Sequence, residues 1–190
     1  MSMTAGWDET EFEAIFREHY QRVVRITRRV LRRDSEAEEI CAEVFLRLYR
    51  SGPGVAAGGL VGGWLYRTAS RAAIDALRAH QRRGLEEELE AGASAHSEDP
   101  AEGPLTQLLR AERIAQVRSV LAQLKVDKAQ ILLLRYGGLK YQEIAAAMHI
   151  SAASVGTMLA RAEAEFSRLY EQQQELSRKA SLFETVKERR

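Results

Sequence analysis

Residues 127–162, DKAQILLLRYGGLKYQEIAAAMHISAASVGTMLARA, constrain the fold of this chain more than any other stretch. Ile131, Leu132 and Leu134, with Tyr136, make an apolar helix, and Gly137-Gly138 is a helix stop signal. Ile144, Ala145 and Met148 recur at helical spacing and predict a short second helix. Ala145, Ala146 and Ala147 are small enough for another helix to cross closely above them. His149 stands where the chain must turn sharply, in a backbone region that His tolerates better than most non-glycine residues. Ser151 is a good N-cap for a third helix, which buries Val155, Met158, Leu159, Ala162, Phe166 and Leu169. The opposite face of that helix carries Ser154, Thr157 and Arg161. A short helix, a tight turn and a longer helix form the helix-turn-helix pattern, whose second helix enters the DNA major groove. An ordinary helical hairpin within a bundle is the alternative reading of this segment alone.

Net charge is +1, with 28 bases against 27 acids, so composition alone does not announce nucleic-acid binding. The distribution does. Residues 84–104 hold seven acids (Glu86, Glu87, Glu88, Glu90, Glu98, Asp99, Glu102) and no Lys or Arg. The remainder carries all 28 bases against 20 acids, a balance that suits two polyanion-binding lobes joined by a flexible acidic linker. Cys41, the single cysteine, excludes an internal disulfide and a cysteine-clustered metal site, and its place on the apolar side of a helix suggests a buried thiol. With no signal peptide and no membrane-length apolar run, a cytoplasmic location is expected. The histidines His19, His80, His96 and His149 are scattered, and no nucleophile-base pair or metal spacing is visible, so an enzyme is not expected and no cofactor or metal is called for.

In the first lobe, about residues 8–83, Phe12, Ile15, Phe16, His19, Val23, Ile26 and Val30 give one apolar helix face, with arginines outside. A second helix, about 36–50, carries Ala37, Ile40, Cys41, Val44, Phe45 and Leu48 on its inner side, with Asp34 or Ser35 as its cap. Glu36, Glu39 and Glu43 line its outside, either as a solvated face or as a docking strip for a basic protein. Residues 51–63 hold six glycines and a proline and are not expected to form a regular helix. They read as a connector or as a loop whose backbone approaches a ligand. A third helix, from about Trp64 to Arg83, presents Arg67, Arg71, Arg78 and Arg82 along one face, with Trp64 and Tyr66 at its start. Aromatic rings beside arginines suit single-stranded nucleic acid, because bases stack on rings while guanidinium groups hold phosphates.

In their order and spacing these pieces resemble the extracytoplasmic-function (ECF) group of bacterial sigma factors, over residues 8–170. FEAIFREHYQRVVRITRRVL is similar to the family's first helix. SEAEEICAEVFLRLYR resembles the polymerase-docking segment, GGWLYRTASRAAIDALRAHQRR the −10 melting and reading segment, and the helix-turn-helix the −35 reader. The resemblance implies an all-α fold with two small helical domains: 8–83, and 105–170 with the helix-turn-helix, joined by the acidic linker 84–104 and followed by an extension, 171–190, as a partly ordered helix. It implies a factor that binds RNA polymerase core and directs promoter-specific initiation. Glu36, Glu39 and Glu43 would contact the beta-prime clamp. Trp64, Tyr66, Arg67, Arg71, Arg78 and Arg82 would act at the melted −10 DNA, with the glycine-rich loop near a flipped-out base. Ser151, Ser154, Thr157 and Arg161 would face the −35 element. The beta flap, promoter DNA and an anti-sigma factor are the further implied partners, without membrane insertion.

The chain departs from the family pattern at Ala42, where Gln is usual, and at Lys140, where Ser usually caps the helix. Gly156 and Met158 stand where the reading helix usually carries Lys and Arg. These last two imply a non-standard −35 preference, met by backbone amides and hydroxyls. A sigma mimic that titrates an anti-sigma factor is the competing reading. An autonomous helix-turn-helix repressor fits less well, because it needs neither the acidic strip nor the acidic tether.

Overall fold

The computed structural model describes residues 6–31, 33–56, 61–83 and 103–188, with 55–56 and 180–188 as backbone only. The linker expected at 84–104 therefore falls outside the described residues, except for Gly103 and Pro104. Every regular element among the described residues is helical. The helices are α1 (Glu9–Arg28), α2 (Asp34–Ser51), α3 (Val61–Arg82), α4 (Pro104–Gln123), α5 (Val126–Tyr136), α6 (Tyr141–Met148) and α7 (Ala152–Glu188), with a 3-10 turn at Pro53–Ala56.

Local chemistry sets the helix ends. Asp8 accepts the Glu11 amide at 3.3 Å, and Glu9 and Glu11 in the first turn of α1 face the positive end of its dipole. Pro104 opens α4, where its missing N–H removes nothing. At the end of α5 the left-handed residue is Gly138, at φ 93°, and the Leu139 amide returns to the Leu134 carbonyl at 3.1 Å. His149 ends α6 in the left-handed region, at φ 53° and ψ 46°, as its place in the sequence implied. Ser151 accepts the Ser154 amide at 3.2 Å, the expected cap of α7. The Lys140 side chain has no acceptor, but the Lys140 amide donates to Glu143 Oε2 at 2.8 Å, so half of a capping box survives the loss of serine. The axes of α6 and α7 meet at 89°.

Helices α1, α2 and α3 enclose Val23, Ile26, Val30, Cys41, Val44, Phe45, Leu48, Leu65, Ala69 and Ile74. Burial pushes the Cys41 thiol up to about 12, which makes it an inert packing residue, as expected. Trp7, which the helical periodicity did not single out, is buried and donates from Nε1 to the Leu48 carbonyl at 2.9 Å, tying the start of α1 to the end of α2. Phe16 departs from its expected inward place: it is 37% exposed. Tyr136 is likewise exposed at the end of α5.

Helix α5 lies at the centre of the C-terminal group, with six consecutive buried residues from Ala129 to Leu134. Around it α6 and α7 bury Ile144, Ala145, Ala147, Val155, Leu159 and Ala162. The two helical groups are not held apart. Helix α3 packs against α1 and α2 on one side and against α4, α5 and α6 on the other, and one apolar core runs through both groups.

The glycines explain this closeness and correct the expectation that residues 51–63 avoid helix. Val61, Gly62 and Gly63 form the first turn of α3. A Cβ on Gly62 would sit 2.9 Å from His19 Cε1, and one on Gly63 would sit 3.3 Å from the backbone of Ala146 and Ala147. These glycines admit α1 and α6 to α3 and make no ligand loop. Residues 57–60 lie outside the described residues. Two of the three alanines of α6, Ala146 and Ala147, do receive a closely crossing helix, and that helix is α3. Gly137 has a similar place, since its Cβ would meet the Leu133 carbonyl at 2.8 Å and Ile26 Cγ1 at 2.9 Å. Gly156 has room, with only Tyr141 Cε2 at 3.7 Å. Gly137→Ala should therefore destabilise the chain by about 1–3 kcal/mol through overpacking. Gly156→Ala should stabilise it by up to about 1 kcal/mol through helix propensity. Urea unfolding of the two variants checks both signs.

Candidate nucleic-acid and polymerase interface

On α2 the three carboxylates have unequal surroundings. Glu39 is exposed. Glu43 is exposed and paired with Arg47 one turn on, at 2.8 Å. Glu36 is partly buried, with Oε1 2.6 Å from His80 Nε2 of α3. Sequence reasoning missed what lies beside them: Leu46 is 40% and Tyr49 53% exposed, and Phe16 of α1 adds to them. Phe12 meets Tyr49 at 5.1 Å, and Phe16 meets Phe45 at 4.8 Å. The signal was available in Leu46 and Tyr49, which fall outside the inner stripe of α2.

The residues expected at melted DNA divide into two sets. Trp64, Arg67 and Arg71 gather at one cleft of about 450 Å³, together with Thr68, Ala72, Asp75, Arg47 of α2 and His149 of the turn after α6. Arg71 is exposed, and Trp64 and Arg67 are half-buried. Arg82 is exposed near the far end of α3. Arg47 was not foreseen as a member, because nothing in one helix's pattern says which neighbouring helix lies beside it.

Tyr66 and Arg78 point elsewhere. Tyr66 is 3% exposed, so it offers no open ring to a base in this arrangement. Its hydroxyl lies 2.7 Å from His19 Nδ1, in hydrogen-bond contact, and accepts from Arg22 Nη1 at 3.3 Å. Two residues along a helix turn the side chain by about 200°, so Trp64 and Tyr66 cannot share a face. Arg78 donates to the carbonyls of Ala122 (3.2 Å) and Leu124 (2.6 Å) at the end of α4, where a helix leaves unpaired carbonyls.

On α7, Ser154, Thr157 and Arg161 are all exposed on one face, as expected. Ser151 is exposed too, although its hydroxyl lies 2.7 Å from that of Ser154. Arg135 and Lys140 are also exposed near this end, and the Arg135 guanidinium lies 5.6 Å from the centre of the Tyr141 ring. Met158 is half-buried, so Gly156 and Met158 leave the reading helix with Arg161 as its one exposed cation between Ala152 and Arg161.

Residues 15–83 match the family Sigma-70 region 2, and residues 114–166 match Sigma-70, region 4. The chain belongs to the ECF group of the sigma-70 family. Region 2 of this sigma factor spans α1 to α3, and region 4 runs from the second half of α4 into α7. Over 159 residues it is 30% identical to the ECF RNA polymerase sigma factor SigE of Mycolicibacterium smegmatis, covering 82% of this chain and 58% of that protein. It is 27% identical over 161 residues to the RNA polymerase sigma-H factor of Pseudomonas aeruginosa, covering 82% and 83%. Its fold is that of the sigma factor RpoE solved with the anti-sigma factor NepR from Bartonella quintana, with TM-score 0.51, 13% identity and coverage of 85% and 97%. CnrH, solved with the cytosolic domain of CnrY, is similar to the same extent, with TM-score 0.51, 15% identity and coverage of 87% and 90%.

One network of this sigma factor joins regions 2 and 4. Arg22 of α1 donates to Tyr66 and, at 2.5 Å, to Glu143 of α6. Behind it His19 is buried, and desolvation lowers its pKa below the usual 6.5; Arg22 lowers it further, against the opposing pull of Glu18 and Glu143. The folded chain thus prefers a neutral imidazole, and the unfolded chain binds the proton more readily. The stability that this burial leaves intact is full above pH 6.5 and is lost as pH falls below it. The melting temperature should drop between pH 7.5 and 5.5. His19→Gln, which keeps a hydrogen-bonding partner for Tyr66, should flatten that drop, as differential scanning calorimetry across the range would show.

Proposed function

We propose that this sigma factor binds RNA polymerase core through the acidic and aromatic surface of α1 and α2 and directs promoter-specific initiation, with α3 holding the melted −10 strand and α7 facing the −35 element. The observation that carries it is the convergence of Trp64, Arg47, Arg67 and Arg71 on one cleft of the region 2 helix. Flat rings and guanidinium groups bind unpaired bases and phosphates without needing a duplex. Glu39, Glu43, Leu46 and Tyr49 offer charge and apolar area to the clamp, with Glu36 beside them at the α2–α3 seam. Ser154, Thr157 and Arg161, with Ser151 at the helix start, favour a −35 contact made mainly by hydroxyls and backbone amides. The domain boundaries 8–83 and 105–170 follow the same division of labour. The role is binding and positioning, with no chemical step by the chain. No single helix among the described residues is long and apolar enough to cross a membrane, and the proposed place of action is the cytoplasm, with polymerase. Its solved relatives are complexes with anti-sigma factors, and a partner of that kind is part of the proposal.

The test is transcription by bacterial core polymerase plus this chain on a randomised promoter library, with mapping of transcript starts. Starts sharing an upstream motif are expected. Core binding without defined starts would remove the initiation claim and favour the mimic. Trp64→Ala and Arg71→Ala should each reduce open complexes about 5- to 150-fold, the worth of one stacking or phosphate contact, without changing core affinity. Glu39→Arg should do the reverse, weakening core binding about tenfold in low salt through the lost charge match. Fluorescence anisotropy with labelled core separates the two effects.

A further inference from the structure

The cleft on α3 gathers more positive charge than its neighbours neutralise. Trp64, Arg67, Arg71 and Asp75 follow one another along one face of the helix, at spacings of three and four. Arg67 and Arg71 are one turn apart, where like charges repel. Among the described residues neither has a carboxylate partner. Arg67 is half-buried, so water screens it less than it would a free side chain. Arg47 reaches the same cleft from α2, and its partner Glu43 is itself exposed. Three guanidinium groups around about 450 Å³ of space make an anion site of the size that small-molecule pockets have.

The two ends of the cleft differ, and the difference sets the shape of the anion. Near Trp64 stands a second flat ring, His149, on the turn after α6. The packing of Gly63 against Ala146 and Ala147 brings that turn there. Asp75 stands at the other end, about 16 Å further along the helix axis. It is exposed and, among the described residues, has no cation partner. The order along the cleft is thus flat rings, cations, carboxylate. A planar base suits the rings, and phosphates suit the cations. The carboxylate repels a phosphate chain that runs on past Arg71.

We propose that this cleft is a binding site for a free purine nucleoside diphosphate, with the base between Trp64 and His149, the diphosphate on Arg47, Arg67 and Arg71, and Asp75 disfavouring a third phosphate. His149 belongs to region 4 and the other groups to region 2, so the site is complete only where the two are packed as they are here. The nucleotide and a nucleic-acid strand would use the same two arginines and exclude each other. That exclusion rests on the function proposed above, and the nucleotide site itself does not.

Isothermal titration calorimetry of the full chain with ADP, in metal-free buffer, should show one site per chain. Adenosine and inorganic pyrophosphate, which each keep one part of the ligand, should bind at least about tenfold more weakly than ADP. ATP should bind about fivefold more weakly than ADP, and Asp75→Asn should close that gap. Arg71→Ala, at an exposed position that the fold does not depend on, should weaken ADP about tenfold. His149→Asn removes the ring and keeps a residue that accepts the left-handed backbone at φ 53°. It should weaken ADP about fivefold, and pyrophosphate less. A mixed-sequence single strand should displace ADP. No binding of ADP, or pyrophosphate as tight as ADP, would overturn the nucleotide site. ATP as tight as ADP would overturn the role of Asp75, and ADP retained under saturating strand would overturn the exclusion. ADP binding as expected in a chain that directs no transcript starts would count against the promoter reading and leave the nucleotide site standing.

Discussion

Helix α3 crosses α6 at Gly63 over Ala146–Ala147, with Gly62 turned to His19 of α1, and the remaining arrangement follows from that crossing. Two helices approach this closely only where neither carries a bulky side chain at the contact. With the approach made, Gln130 of α5 reaches the Arg67 carbonyl and Ser70, Arg78 reaches the open carbonyls of α4, and Gly137 lies against Ile26. Each is a long-range contact between region 2 and region 4. The same crossing brings Arg22 within reach of Glu143, so a charge from α1 reinforces the cap of the helix-turn-helix.

Helix α3 therefore has three jobs divided around its circumference. Leu65, Tyr66, Ala69, Ala73, Ile74 and Leu77 are buried. Gly63 and Arg78 face the C-terminal group. Trp64, Arg67 and Arg71 line the cleft. A single arginine row read along the helix is thus split in space: Arg78 holds the end of α4, while Arg67 and Arg71 line the cleft. The chain's near-zero net charge hides this local concentration, because three arginines around one cleft set the local potential whatever the total.

Much of this was legible in the sequence. The apolar period gave α1, α2, α5, α6 and α7, and the chemistry of His149 and Ser151 located the turn and its cap, because helix period and capping are local properties. The exposed face of Ser154, Thr157 and Arg161 followed from the same period. Long-range packing was not legible. Gly62 and Gly63 read as helix breakers because their close neighbours, His19 and the backbone of α6, are dozens of residues away. Tyr66 and Arg78 had the right type and spacing for nucleic-acid contacts, yet their burial and hydrogen bonds depend on His19 and α4. Trp7 and Arg47 were passed over because a helix pattern names a face and not the neighbour it meets. The family resemblance pointed to α2, α3 and α7 as the contact helices, and it could not say that the two groups would dock in one chain.

The most direct measurement is hydrogen-deuterium exchange resolved to peptides covering α3 and α6, in the free chain. If the crossing holds the chain together, amides of 61–66 and 141–148 are protected together in the free chain, with the buried stretch around 69–77 the slowest. Fast exchange in 141–148 of the free chain while 69–77 stays slow would contradict the account.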